Sequence, residues 1–133
     1  MKKAALLMIA SVAFASGCEK ILERNKEADD LCEKVLSMFA AGEAQKIYDE
    51  LGAKELREQV SPEKWREVGT KLQVLGKPKE FRRTSFSQKT SDGVTTGEFK
   101  YRVTWSGGEG DFILKTKIEN NKWTVLGAHF KAD

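Results

Sequence analysis

Histidine, cysteine and proline are scarce in this chain of 133 residues, which has one, two and two of them. Cys18 and Cys32 cannot supply a disulfide framework. A single histidine, His129, among scattered carboxylates lacks the ligand spacing of a zinc site, so no metal is expected. Neither sign of charge dominates, with 23 Lys/Arg against 20 Asp/Glu, and a chain so balanced is not expected to bind nucleic acid. Gly107-Gly108-Glu109-Gly110 is not followed by the Gly-Lys-Ser/Thr of a phosphate loop. No nucleophile elbow, cofactor fingerprint, Asn-x-Ser/Thr acceptor, repeat or low-complexity tract is present, so no cofactor is expected. The apolar run from Ala4 to Ala15 is shorter than the roughly 20 residues needed to span a bilayer.

That short run has its own meaning. Met1-Lys2-Lys3, the run itself and the small residues before Cys18 form the n-region, h-region and processing site of a secretory leader. Ala15-Ser16-Gly17-Cys18 resembles the lipobox of bacterial lipoproteins. The resemblance implies removal of residues 1–17 and a diacylglycerol thioether on Cys18, which anchors the chain to a membrane. Ala15 stands where leucine is commonest. Ala13-Phe14-Ala15 is also an Ala-x-Ala site, and cleavage after Ala15 would release a soluble periplasmic protein. Glu19, rather than aspartate, follows the cysteine, and by the enterobacterial sorting rule this places the anchor on the periplasmic face of the outer membrane.

Residues 18–27 read as a tether or first helical turns, and 28–133 as one α+β domain. With Cys18 acylated, Cys32 has no partner. In the soluble alternative a helix between the two would hold them roughly 21 Å apart. Cys32 falls in the apolar pattern Leu31, Cys32, Val35, Leu36, Phe39 and reads as a small buried hydrophobe. The charge is polarised along the chain. Residues 18–60 hold seven Lys/Arg against eleven Asp/Glu, and residues 61–133 hold fourteen against nine.

Glu19 to Ala41 predicts a long amphipathic helix with Leu31, Val35, Met38 and Phe39 on one face. Gly42 ends it. A short helix follows over Glu43 to Leu51, and residues 53–60 add a further turn through Leu56 and Val60. Ser61 as N-cap, Pro62 at the first position and Gly76 with Pro78 as stops delimit the clearest helix, with Trp65, Val68, Leu72 and Leu75 on its buried face. After Pro78 the period becomes two. Strands are predicted at about 80–89, 95–105, 111–119 and 122–130.

Asn120-Asn121 suits a two-residue hairpin, which pairs Glu119 with Lys122 and, further along, Phe112 with His129. A turn centred on Asp92-Gly93 sets Phe86 beside Phe99. A glycine-rich link from Ser106 to Asp111 aligns Trp105 with Phe112 and Val103 with Leu114. The expected inner face carries Thr84, Phe86, Phe99, Tyr101, Val103, Trp105, Phe112, Leu114, Thr116, Ile118, Trp123, Val125 and His129. Two or three helices ahead of a four-stranded antiparallel meander make an α+β fold, with the helices on one face of a curved sheet.

The order helix, short helix, Ser-Pro-capped helix ending Leu75-Gly76-Lys77, then strands closing on Lys122-Trp123-Thr124-Val125-Leu126-Gly127, resembles the cone-shaped nuclear-transport-factor-2-like superfamily. A cystatin-like arrangement is the neighbouring alternative. The superfamily resemblance implies either a catalytic cone or dimerisation through the sheet, hence a homodimer as one expected assembly. Catalysis there would need ionisable residues inside the cone. The inner face has no carboxylate, and His129 with Tyr101 is the candidate pair for a small hydrolase or isomerase.

The outer face points elsewhere. In the expected register Arg102 lies opposite Arg83 and Lys115, and Lys100 lies opposite Lys117. Like charges facing each other across strands are unfavourable, so Arg83, Lys100, Arg102, Lys115 and Lys117 form the candidate surface for an anionic partner. Ile113, Leu126, Ala128 and Phe130 would flank it. The resulting expectation is a lipid-anchored, non-catalytic binding or scaffolding module that takes an envelope protein or an anionic envelope component. A protective lipoprotein that binds a toxin fits the same features.

Overall fold

The computed structural model describes residues 22–133, so the leader and Cys18 lie outside the described residues. The chain divides into two compact units, Met1–Leu31 and Cys32–Asp133. Of the first, residues 22–31 are described, and they are helical. No described helix is long and apolar enough to cross a membrane.

In the second unit, helix α1 covers residues 32–40 and buries Cys32, Val35, Leu36 and Phe39. Gly42, at φ 77°, ends it in a Schellman arrangement. The Gly42 N–H donates to the Phe39 carbonyl at 3.0 Å and that of Glu43 to Met38 at 2.8 Å. Helix α2, Ala44–Lys46, runs straight into a π-helical turn, Ile47–Leu51. Helix α3 is Lys54–Gln59 and α4 is Pro62–Leu75. The Ser61 hydroxyl caps α4 by accepting the Lys64 N–H at 3.3 Å. Trp65 joins α4 to α2 by donating its indole N–H to the Ala44 carbonyl at 2.7 Å, with Phe39 and Tyr48 rings at 5.5 and 6.2 Å.

Four antiparallel strands follow in sheet order β1-β2-β3-β4: Pro78–Ser91, Val94–Trp105, Gly108–Glu119 and Lys122–Ala132. Phe99, Tyr101, Val103, Trp105, Phe112, Leu114 and Val125 are buried, while the residues between them on β2 and β3 stay partly exposed. One face of the sheet is therefore covered and the other wet. Two hairpins form as expected. Asp92 and Gly93 (φ 52° and 78°) and Asn120 and Asn121 (φ 53° and 61°) supply the left-handed pairs that such turns require.

The third hairpin and both edges differ from expectation. β2 turns into β3 through Ser106-Gly107 alone, so Trp105 pairs with Gly108, Tyr101 with Phe112 and Phe99 with Leu114. The displacement is four residues. Because that number is even, the inner face keeps its members while every opposed outer pair changes. Gly108 and Gly110 belong to β3. A Cβ at Gly110 would stand 2.5 Å from the Lys131 carbonyl.

Both edge strands also depart from a regular ladder, β1 first at Lys79, between Pro78 and Glu80. The β1–β2 register shifts between Arg83 and Ser85, so Arg82 rather than Arg83 faces Arg102, and Thr84 lies exposed in the bulge instead of on the inner face. The β3–β4 register shifts between Lys115 and Thr116. Beyond Leu126, Phe112 pairs with Phe130 and Ile113 with His129. His129 therefore moves to the outer face, and Phe130 turns inward to meet Trp105 edge-to-face at 5.0 Å.

Candidate functional site

The five candidate cations have different surroundings. Arg83 faces Tyr101 and lies 5.8 Å from the Phe86 ring centroid. Lys100 faces Ile113 and reaches Asp111 at 3.7 Å. Arg102 faces Arg82 on one side and Asp111 on the other, and it binds Asp111 at 3.4 Å, Glu109 at 3.1 Å and Asp133. The hydrogen bond to Asp133 is the main reason that the Arg102 guanidinium is raised above its ordinary value and the Asp133 carboxyl is lowered. Three carboxylates hold this arginine, Glu109 and Asp111 from β3 and Asp133, which fastens the chain just beyond β4 to β2.

Lys117 faces Thr96 and Thr124. Its ammonium donates to Glu55 of α3 at 3.0 Å and lies 3.2 Å from Glu119. Lys115 faces Glu98 and Gly127, and among the described residues no carboxylate lies within ion-pair distance of it. The expected row of opposed like charges is thus replaced by mixed pairs. Arg82 against Arg102 is the one like-charged pair directly across β1 and β2.

A cleft of about 620 Å³ opens on this outer face, in the size range of ligand sites. Its wall is α3, through Glu55, Gln59 and Val60, and its floor includes Thr96, Lys115, Lys117, Leu126 and His129. The π-helical turn sets the position of the wall. Gly52 bridges to Val125, the Ala53 N–H donates to the Val125 carbonyl at 2.8 Å, and the Tyr48 hydroxyl donates to the Val60 carbonyl at 2.7 Å. The β4 bulge then supplies the apolar floor, because it adds Leu126 beside Gly127 opposite Lys115.

Glu55 is held below its ordinary value, chiefly by the Lys117 hydrogen bond and against desolvation. Its Oε1 is paired, whereas Oε2 is buried and has no hydrogen-bond partner among the described residues. The cleft therefore offers one cation without an ion pair, an imidazole and a short apolar strip, beside a fixed carboxylate.

The sequence places Lys115, Lys117 and Leu126 on the outer face, and the structure keeps them there, whereas it gives no sign of Glu55 and Gln59 in the cleft wall. The adjacent apolar pair Val125-Leu126 before Gly127, which breaks the alternation of β4, was the available signal for the bulge. Tyr101 and His129 are not brought together. Tyr101 is fully buried on the inner face, and His129 is exposed on the outer one. Comparison with protein families, with curated proteins and with solved structures gives no match to this chain.

Proposed function

We propose that this protein is a lipid-anchored, non-catalytic binding module of the bacterial envelope, tethered through Cys18 and taking an anionic envelope component at the outer-face cleft. The observation that carries the reading is Lys115. It sits on the floor of a ligand-sized cleft beside Leu126, and its neighbours Lys100, Arg102 and Lys117 are already neutralised by carboxylates. A cation beside apolar surface suits a ligand with an acidic group and a hydrophobic body. The leader and lipobox-like residues supply the address. The helix-first order and the antiparallel meander support a place near the nuclear-transport-factor-2-like superfamily.

Two variants test the reading. Cys18→Ser should shift the protein from the membrane to the soluble periplasmic fraction. Lys115→Glu should leave it anchored and folded by circular dichroism while abolishing capture of anionic components from envelope extracts. Equal capture by wild type and Lys115→Glu would remove the cleft from the account.

A further inference from the structure

Strand β1 is an open end of the sheet. Among the described residues its one strand partner is β2, and its burial pattern leaves most of Pro78–Ser91 exposed. Open edges attract a further strand unless charges or bulges guard them. β1 has both guards, in Lys79, Arg82, Arg83 and Lys89 and in the bulge at Thr84. Guarding does not explain Phe86, which stacks on Phe99 at 6.4 Å yet remains 46% exposed at that edge.

We propose that β1 pairs antiparallel with β1 of a second copy of this chain, in the register that sets Glu80 against the second copy's Lys89 and Arg83 against its Phe86. The two four-stranded sheets then become one sheet of eight strands. This surface is separate from the outer-face cleft and does not depend on what that cleft binds.

The bulge selects the register. Residues opposed across an antiparallel pair point to the same face. Before the bulge, Glu80 and Arg82 point outward, opposite Thr104 and Arg102, while Phe81 faces Val103 and Arg83 faces Tyr101 on the inner side. After it, Ser85, Ser87 and Lys89 point outward, and Phe86 and Gln88 inward. A two-fold axis between Thr84 and Ser85 therefore joins outward Glu80 to Lys89 and Arg82 to Ser87. It also joins inward Phe81 to Gln88 and Arg83 to Phe86. Every pair occurs twice, and the two bulges face each other, so the strands stay in step.

The charges distinguish this register from its neighbours. A shift of two residues one way sets Arg82 against Lys89, a repulsion repeated by symmetry. The same shift the other way leaves Glu80 against Ser87 and Lys89 with no acidic residue opposite it. In the single chain Glu80 and Lys89 are exposed and have no ion pair among the described residues. The Arg83 guanidinium already lies over its own Phe86, so in the dimer each ring has a guanidinium from both chains within reach.

The test is the association state of the full chain in detergent by sedimentation equilibrium, with circular dichroism to verify the fold of each variant. Wild type should be dimeric, and Glu80→Lys or Lys89→Glu alone should weaken the dimer about tenfold or more. The double variant should return to near wild-type affinity, because the two pairs re-form with their signs exchanged. A merely structural role for either residue gives no such rescue. A wild type that stays monomeric to its solubility limit, a dimer indifferent to both single changes, or a double variant as weak as the singles would each overturn the proposal.

Discussion

The Lys117 ammonium donates to Glu55 Oε1 at 3.0 Å across 62 residues of sequence, binding α3 to the sheet. The two shifts agree in direction. Lys117 is raised, first by Glu55 and then by Glu119, and Glu55 is lowered, first by Lys117. Removing the ammonium takes from Glu55 its side-chain partner on the sheet, so Lys117→Met should loosen the cleft wall locally. Amide hydrogen exchange over Lys54–Gln59 should quicken while Pro62–Leu75 keeps its protection. Equal exchange in wild type and variant would show that the backbone bond from Ala53 to Val125 holds α3 by itself.

The same pair sets a pH dependence with a definite sign. Glu55 lies below its ordinary 4.5 in the folded chain, so its contribution is complete above 4.5 and is lost as pH falls through the lowered value. Asp133, lowered from 3.8 by Arg102, acts in the same direction. Lys117, raised from 10.5, contributes below that value and loses its effect as pH rises through the raised one. Melting temperature should therefore fall on acidification below about 4.5. Lys117→Met should flatten the part of that slope due to Glu55, and an identical acid limb in the variant would contradict the assignment.

Helix ends, strand positions and two of the three hairpins could be read from the sequence because each has a local chemical cause. Ser61-Pro62, Gly42 and Gly76, and the Asp92-Gly93 and Asn120-Asn121 pairs mark their own places. The Ser106-Gly107 hairpin could not be read this way. The glycines beyond it look like loop residues until β4 is in place, and Gly110 is small because the Lys131 carbonyl passes over it. That constraint comes from a neighbour about twenty residues away. The bulges at Thr84 and Leu126 were also hidden, since alternation reports faces and an inserted residue reverses them from that point on. Lys115 and Lys117 were found because outward parity survived on β3. Glu55 was missed because a helix wall creates its role, and Leu126 was placed on the outer face without the bulge that sets it beside Gly127.

Gly69 sets how closely α4 approaches α2. A Cβ there would stand 2.6 Å from that of Ala44, which is also the residue whose carbonyl accepts the Trp65 indole N–H. Helix propensity alone would favour alanine over glycine by roughly 1 kcal/mol. The clash involves two short side chains with no rotamer to move into, so overpacking should win. Gly69→Ala is expected to lower unfolding free energy by about 1–3 kcal/mol in urea titration. A more stable variant would show that the two helices separate at little cost.

The bulge in β4 makes a contrast between neighbouring residues. Without the extra residue, His129 would be packed on the inner face and Phe130 would lie in solvent, so truncating His129 would be the costly change. With it, His129 is exposed and Phe130 meets the nearly buried Trp105 at 5.0 Å with ring planes at 85°. His129→Ala should then change stability by no more than about 0.5 kcal/mol. Phe130→Ala should cost about 2 kcal/mol or more, since it opens space against Trp105. Chemical denaturation of the two variants decides between the registers, because each predicts the opposite order of cost. A larger loss at His129 than at Phe130 would return His129 to the inner face and remove Leu126 from the cleft floor.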